Sequence, residues 1–233
     1  MPIKLVKNDV EAIEPSVRRV YAALGWDEKD EFDQQVDLDL SIFALDSNGK
    51  VRNDDDVVFY NAKYKGNISA IPGDKSFFNV LTDNSKFPDN RAKIAIDSEE
   101  YIPHPSGSII HRGDDLIGGA NEEGSNEEVY VDFDLVPNDI EKIAIVASIY
   151  PNRRFKYPQF FENIKNAFIF SSDIENSSGF AVQYDLNSTY KGASAVVLGE
   201  FYRRGSNWEF QVLEKEFSDG LEGICNYYGV EVE

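Results

Sequence analysis

Residues 36–45 set the terms for the rest of the chain. Val36, Leu38, Leu40 and Ile42 alternate with Asp37, Asp39 and Ser41. Only an extended chain sends successive side chains to opposite faces, so this is a strand with one apolar face. Phe43 and Leu45 make the second face apolar further along. That face therefore runs from a buried end to a polar rim, where Asp37 and Asp39 project side by side. Residues 129–135 alternate in the same way, with Val129, Val131, Phe133 and Leu135 against Tyr130, Asp132 and Asp134. They predict a half-buried strand. Residues 142–150 are nearly all apolar and read as a central strand. Shorter strand-like runs lie at 2–7, 57–60, 108–111, 166–172, 180–184, 193–202 and 207–212. Turn signals separate several of them, including Asn48-Gly49. Helical character is limited to a turn or single helical turn at 137–141, a helical turn at 159–165 and a closing segment, 218–228, with Ser218 as N-cap and Gly229 as terminator. The expected fold is all-β: a β-sandwich of two packed, mostly antiparallel sheets with short peripheral helices. A chain of 233 residues is long enough for one sizeable core with an elaboration.

Charge narrows the function. The net charge is −19. Such a surface repels phosphate backbones, so nucleic acid is excluded as a partner and cations or basic proteins are favoured. Cys225 is the only cysteine, which leaves no disulfide framework and no cysteine-based zinc site. His104 and His111 are the only histidines, too few for a multi-histidine transition-metal site, although His111 is placed to serve a softer metal. No signal peptide opens the chain and no apolar run approaches a membrane span, so the expectation is a soluble cytoplasmic protein without a transmembrane segment. Phosphate-binding, zinc-protease and nucleophile-elbow motifs are missing, and the expected chain is not an enzyme.

The negative charge is concentrated. From Gly113 to Glu141 there are ten acids (114, 115, 122, 123, 127, 128, 132, 134, 139 and 141) and no Lys or Arg. Two carboxylates about 4 Å apart repel by roughly 4 kcal/mol near a protein surface. A multivalent cation is the simplest remedy. Gly113, Gly118, Gly119 and Gly124 let the backbone turn carbonyls toward one centre. Calcium takes about six to eight oxygen ligands of these kinds. A solvated acidic loop is the bland alternative.

The sequence His-Arg-Gly-Asp-Asp at 111–115, the glycine-rich acidic stretch and Glu127-Glu128-Val129-Tyr130-Val131-Asp132 resemble the signature loop of the TerD (tellurium resistance and stress protein) family. Other pieces follow in that family's order: Leu24-Gly25-Trp26-Asp27, Val36-Asp37-Leu38-Asp39-Leu40-Ser41, Val58-Phe59-Tyr60-Asn61, Gly107-Ser108-Ile109-Ile110-His111 and Gly199-Glu200-Phe201-Tyr202-Arg203. The resemblance implies a single domain over 1–233, with an insertion at about 63–105. In the insertion, apolar pieces at 77–81 and 93–96 suggest an extra hairpin. It favours a strand over residues 14–24, where Val17, Val20, Tyr21 and Leu24 also have helical spacing. It further implies calcium as the bound ion, with Asp37, Asp39, Asn61, Asp114, Asp115, Gly118 and Glu127 as the metal site.

The loop departs from the family pattern. Asp115 and Ile117 stand where the family often has Asn and Thr, and Ser125 and Asn126 where it has aspartates. The leading expectation is a calcium-binding stress-response protein. Its partners would be other proteins of a stress or tellurite-resistance complex, with the inner membrane surface as a candidate location. Two alternatives stay open: an interaction scaffold with a lost metal site, and a small-ligand-binding or hydrolytic sandwich that uses the insertion as a lid.

Overall fold

The computed structural model describes residues 1–27, 29–83, 100–113, 127–150, 156–176, 179–186 and 190–232. Among them, two sheets are formed. The first has the order β1 (Ile3–Lys4), β11 (Ala181–Asp185), β10 (Phe168–Asp173), β3 (Arg19–Gly25), β8 (Glu127–Asp132), β7 (Ile109–His111) and β6 (Ile102–Pro103). The second has the order β2 (Val10–Ile13), β13 (Asn207–Phe217), β12 (Ala195–Arg204), β9 (Lys142–Ile149), β4 (Leu38–Leu45) and β5 (Val57–Val58). Only β1 and β11 pair in parallel; the other described pairs are antiparallel. This is the expected all-β sandwich, and residues 19–25 take the strand alternative.

Alternation explains the core. Val20, Ala22 and Leu24 of β3 and Val129 and Val131 of β8 meet Leu38, Leu40 and Ile42 of β4 and Ile143 and Ile145 of β9. Each such buried Val, Leu or Ile side chain contributes about 1.5–3 kcal/mol. Trp26 is buried at the end of β3, and its indole N–H donates to the Val36 carbonyl.

The outer faces are covered more than simple alternation predicts. On the second sheet, Phe43, Leu45, Ala144, Val146, Ala195 and Val197 pack beneath α2 (Gly220–Tyr228) through Ile224 and Tyr228. Asp219, not Ser218, is the N-cap, and its side chain makes no capping bond. Gly229 ends the helix in the left-handed conformation, φ 87°. On the first sheet, residues 77–81 belong to a helix, α1 (Ser76–Thr82), instead of a hairpin strand. Asp74 accepts from the Ser76 amide at 2.6 Å and starts the turn. Phe77 and Leu81, one helical turn apart, pack with Tyr101, Ile110 and Tyr130. The other piece of the proposed hairpin, 93–96, lies outside the described residues.

This cover corrects the half-buried reading of β8. Tyr130 and Asp132, expected to face solvent, are each 2% exposed. Asp132 is held by Arg19 Nε at 2.7 Å, as a buried carboxylate requires.

One register detail positions the site. β9 pairs with β4 along its whole length, with Asp39 opposite Ser148 and Leu40 opposite Ala147. On the other side β5 reaches only Ile42 and Phe43. The edge of β4 at Leu40 is therefore not paired by β5.

Candidate metal centre

At Leu40 the first sheet reaches across to the second. The Leu40 amide donates to Glu127 Oε2 at 2.5 Å. Its carbonyl lies 2.9 Å from His111 Nε2. The Gly113 amide donates to His111 Nδ1 at 3.0 Å. Because Nδ1 accepts, the proton sits on Nε2 and is donated to the Leu40 carbonyl, so the imidazole is neutral. Both side chains are almost completely buried, with Nε2 and Oε2 3.7 Å apart. His111 thus joins two backbone groups, and each ring nitrogen is engaged. It does not present the lone pair that a softer metal would need.

The same contacts hold both ends of the acidic loop. Gly113 precedes it and Glu127 follows it, and each is tied to the backbone of Leu40, directly or through His111. Gly113 has φ 118°, and a Cβ there would fall 2.8 Å from the Glu100 Cβ. Glycine is what fits this passage. Beyond Glu127, Tyr130 donates to Glu128 Oε2 at 2.6 Å, which continues the buried polar layer.

The other expected ligands fall as follows. Asp39 is 5% exposed and lies on the outer face of the second sheet. It lines a groove of about 760 Å³ together with Tyr60 and Ser148. Asp37 is half-buried on the same face, and its carbonyl accepts from the Tyr150 amide at 2.9 Å. Asn61 is exposed in the turn after β5 and is not among the residues lining that groove. Asp114, Asp115 and Gly118 lie outside the described residues. Among the described residues, no three His, Cys, Asp or Glu side chains converge where a metal could be held. What the fold brings together is Asp39 on one side of Leu40 and Glu127 on the other. The donors there are carboxylate oxygens, a set that suits a hard cation.

A second polar cluster, centred on Asp56, was not among the sites expected from the sequence. Asp56 is 1% exposed. It receives Arg52 Nε at 2.8 Å, Arg52 Nη2 at 2.6 Å and the Arg52 amide at 3.0 Å. His104 Nε2 lies 3.2 Å from Oδ1, the oxygen that Arg52 Nη2 also reaches. His104 Nδ1 accepts from the Ser106 amide at 3.1 Å and lies 2.7 Å from Ser106 Oγ. Burial pushes the Asp56 carboxyl up, but these hydrogen bonds outweigh it and hold the group well below the usual carboxylate range. The spacing of Arg52 and Asp56, four residues apart, was the available signal.

Comparison with known proteins places the architecture. The family described as TerD domain matches residues 1–77 and 74–228. Tellurium resistance protein TerD of Serratia marcescens is 29% identical over 216 residues, covering 93% of this chain and 90% of that protein. General stress protein 16U of Bacillus subtilis is 29% identical over 236 residues, covering both chains fully. A solved TerD homologue from Streptomyces coelicolor superimposes with a TM-score of 0.57 at 16% identity, covering 90% of this chain and 95% of that one. At that identity the likeness concerns the fold.

Proposed function

Because this chain belongs to the TerD family of tellurium resistance and stress proteins, we propose that it is a calcium-binding stress-response protein that works by assembling with other proteins and not by catalysis. The observation that carries the calcium reading is the anchoring of the acidic loop. His111–Gly113 and Glu127 fasten its two ends to Leu40, next to Asp39. The described residues on either side of 114–126 are thereby held at Leu40, the neighbour of Asp39 in β4. Asp37, Asp39 and Glu127, with Asp114, Asp115 and the Gly118 carbonyl from the loop, would supply the oxygens, with Asn61 as a further proposed ligand. Bound calcium would neutralise these like charges and hold the loop in one conformation.

The non-catalytic reading has its own support. Ser106, His104 and Asp56 form a hydrogen-bonded run that superficially suggests a nucleophile, base and orienting acid. However, the Ser106 amide already donates to His104 Nδ1, and Arg52 already neutralises Asp56. Both groups are committed to holding the turn before β5 against the β6–β7 hairpin. No described helix is long and apolar enough to cross a membrane. We place the protein in the cytoplasm, with partners in a tellurite- or stress-resistance complex.

The test is thermal unfolding of chelator-treated protein with calcium, then magnesium, restored. A ligand that binds only the native state stabilises it by about 2.7 kcal/mol at a hundredfold excess over Kd. In a chain of this size that raises Tm by about 5–10 °C. The shift should vanish in the double variant Asp39→Asn, Asp114→Asn. No shift with either ion at millimolar concentration would sink the calcium reading and leave an interaction scaffold, with Ser125 and Asn126 marking a lost site.

A further inference from the structure

We infer that Asn48 is a latent modification site, an amide that the backbone of Gly49 converts to aspartate or isoaspartate, and that Asp46 holds this reaction off while the turn after β4 is folded. Asn48-Gly49 is the only Asn-Gly pair in the chain. Glycine favours the chemistry because no side chain shields its amide nitrogen. Gly49 has φ 71°, and a Cβ built there would meet nothing within 4 Å. Asn48 is exposed, so water reaches it.

The step needs only water. The Gly49 amide nitrogen gives up its proton and attacks Asn48 Cγ. The N–Cγ bond forms, the Cγ–Nδ2 bond breaks, and Nδ2 takes up a proton and leaves as ammonia. Water then opens the cyclic imide at one of its two carbonyls. One opening leaves aspartate in a normal backbone. The other routes the backbone through the side chain as isoaspartate. In sum, an amide and water give a carboxylate and ammonium, with no oxidant or reductant.

The folded turn opposes the first move. The Gly49 amide, which is the nucleophile, donates to the Asp46 carbonyl at 3.0 Å. Asn48 Nδ2, which must leave, donates to Asp46 Oδ2 at 3.0 Å. Asp46 Oδ1 accepts from the Asn48 amide at 2.8 Å and the Lys50 amide at 3.0 Å, the amides on either side of Gly49. One residue thus engages both reacting groups. Its carboxylate also disfavours the amide anion that the attack requires, since like charges repel. Ring closure needs the reacting atoms aligned, and so waits for local opening of the turn. The turn is fastened to the end of α2: the Val51 amide donates to the Tyr228 carbonyl at 3.0 Å, and Lys50 Nζ to the Tyr227 carbonyl. Aspartate at 48 would set a second carboxylate against Asp46, and isoaspartate would lengthen the backbone by one methylene. Conversion therefore loosens the helix that covers the outer face of the second sheet. The inference does not depend on the calcium reading.

The experiment ages the full chain in mildly alkaline buffer and digests it with trypsin. The peptide 30–50, which ends at Lys50, has Asn48 as its only asparagine. Its mass reports the change from amide to acid, and its elution separates aspartate from isoaspartate. The folded parent should convert at least tenfold more slowly than the same chain unfolded in guanidinium chloride. Asp46→Ala, checked for folding by circular dichroism, should convert at least fivefold faster than the folded parent. Asp46→Ser keeps one acceptor in the turn and should fall between them; it carries the test if the alanine variant does not fold. Ser47→Ala, at an exposed neighbour, should match the parent. Hydrogen exchange in α2 should be faster in the converted chain. Three results would overturn the proposal: equal rates in the folded and unfolded parent, conversion in the Asp46 variants no faster than in the folded parent, or unchanged exchange in α2 after conversion.

Discussion

Replacing His111 with alanine should unlock the contact between the sheets. The imidazole gives a hydrogen bond to the Leu40 carbonyl at 2.9 Å and takes one from the Gly113 amide at 3.0 Å. His111 is 0% exposed and Leu40 is 1% exposed, so water does not simply replace the ring. Each buried group left without a partner costs about 1–3 kcal/mol. Two of them, together with the void left by the ring, make about 4 kcal/mol a fair expectation for His111→Ala. At about 2–4 °C per kcal/mol for a chain of this length, Tm falls by about 8–16 °C. His111→Gln can still donate to Leu40 through its amide, and should recover about half of the loss. Urea unfolding followed by the fluorescence of Trp26 and Trp208, both buried, reads the difference directly. A loss below about 1 kcal/mol for the alanine variant would refute the reasoning. Unchanged stability with lost calcium binding would identify His111 as a ligand instead of a connector.

Asp56→Asn should cost about 3 kcal/mol at pH 7, the lower end for breaking a buried ion pair because Arg52 is partly exposed. Its carboxyl is held below the ordinary range, so its contribution is complete above about pH 4 and drains away as pH falls toward the folded value. Urea unfolding between pH 7 and 2 should therefore show the parent losing stability more steeply than Asp56→Asn in acid; parallel curves would contradict the assignment. Gly113→Ala forces a side chain into a left-handed conformation against Glu100 and should lower stability by about 1–3 kcal/mol, visible as a Tm drop. Phe77→Ala empties a fully buried position under α1 and should cost about 3–5 kcal/mol. Hydrogen exchange in that variant should rise in α1 before it rises in β4 and β9.

The sandwich was legible where periodicity was strong. The alternation of Val36 through Leu45 placed Asp39 on the correct face, and the apolar run at 142–150 became a central strand. Short apolar segments were ambiguous because five residues fit either period. Phe77 and Leu81 suit a helix turn as well as a strand, and Asp74 decided the matter through its contact with the Ser76 amide. Tyr130 and Asp132 looked solvent-facing because alternation along one strand says nothing about what later packs on its far side. At the site, residue types suggested Asp39 and Glu127, but their placement around Leu40 depends on how one sheet is aligned over the other. No spacing in the sequence encodes that alignment. The Asp56 cluster went unexpected for a similar reason, since the Arg52 and His104 side chains that bury it meet only in the folded chain.

The short reach of β5 has a consequence for the protein's behaviour in a crowded solution. An unpaired strand edge is a template on which a second molecule can add a strand and begin a polymer. Along β4 such a template would open at Leu40, where β5 has already ended. There the amide is plugged by a carboxylate and the carbonyl by an imidazole, both supplied by the opposite sheet. A foreign strand would have to expel two buried side chains before it could form its first bond at Leu40. The residues that hold the two sheets in register thus also keep neighbouring molecules from joining theirs.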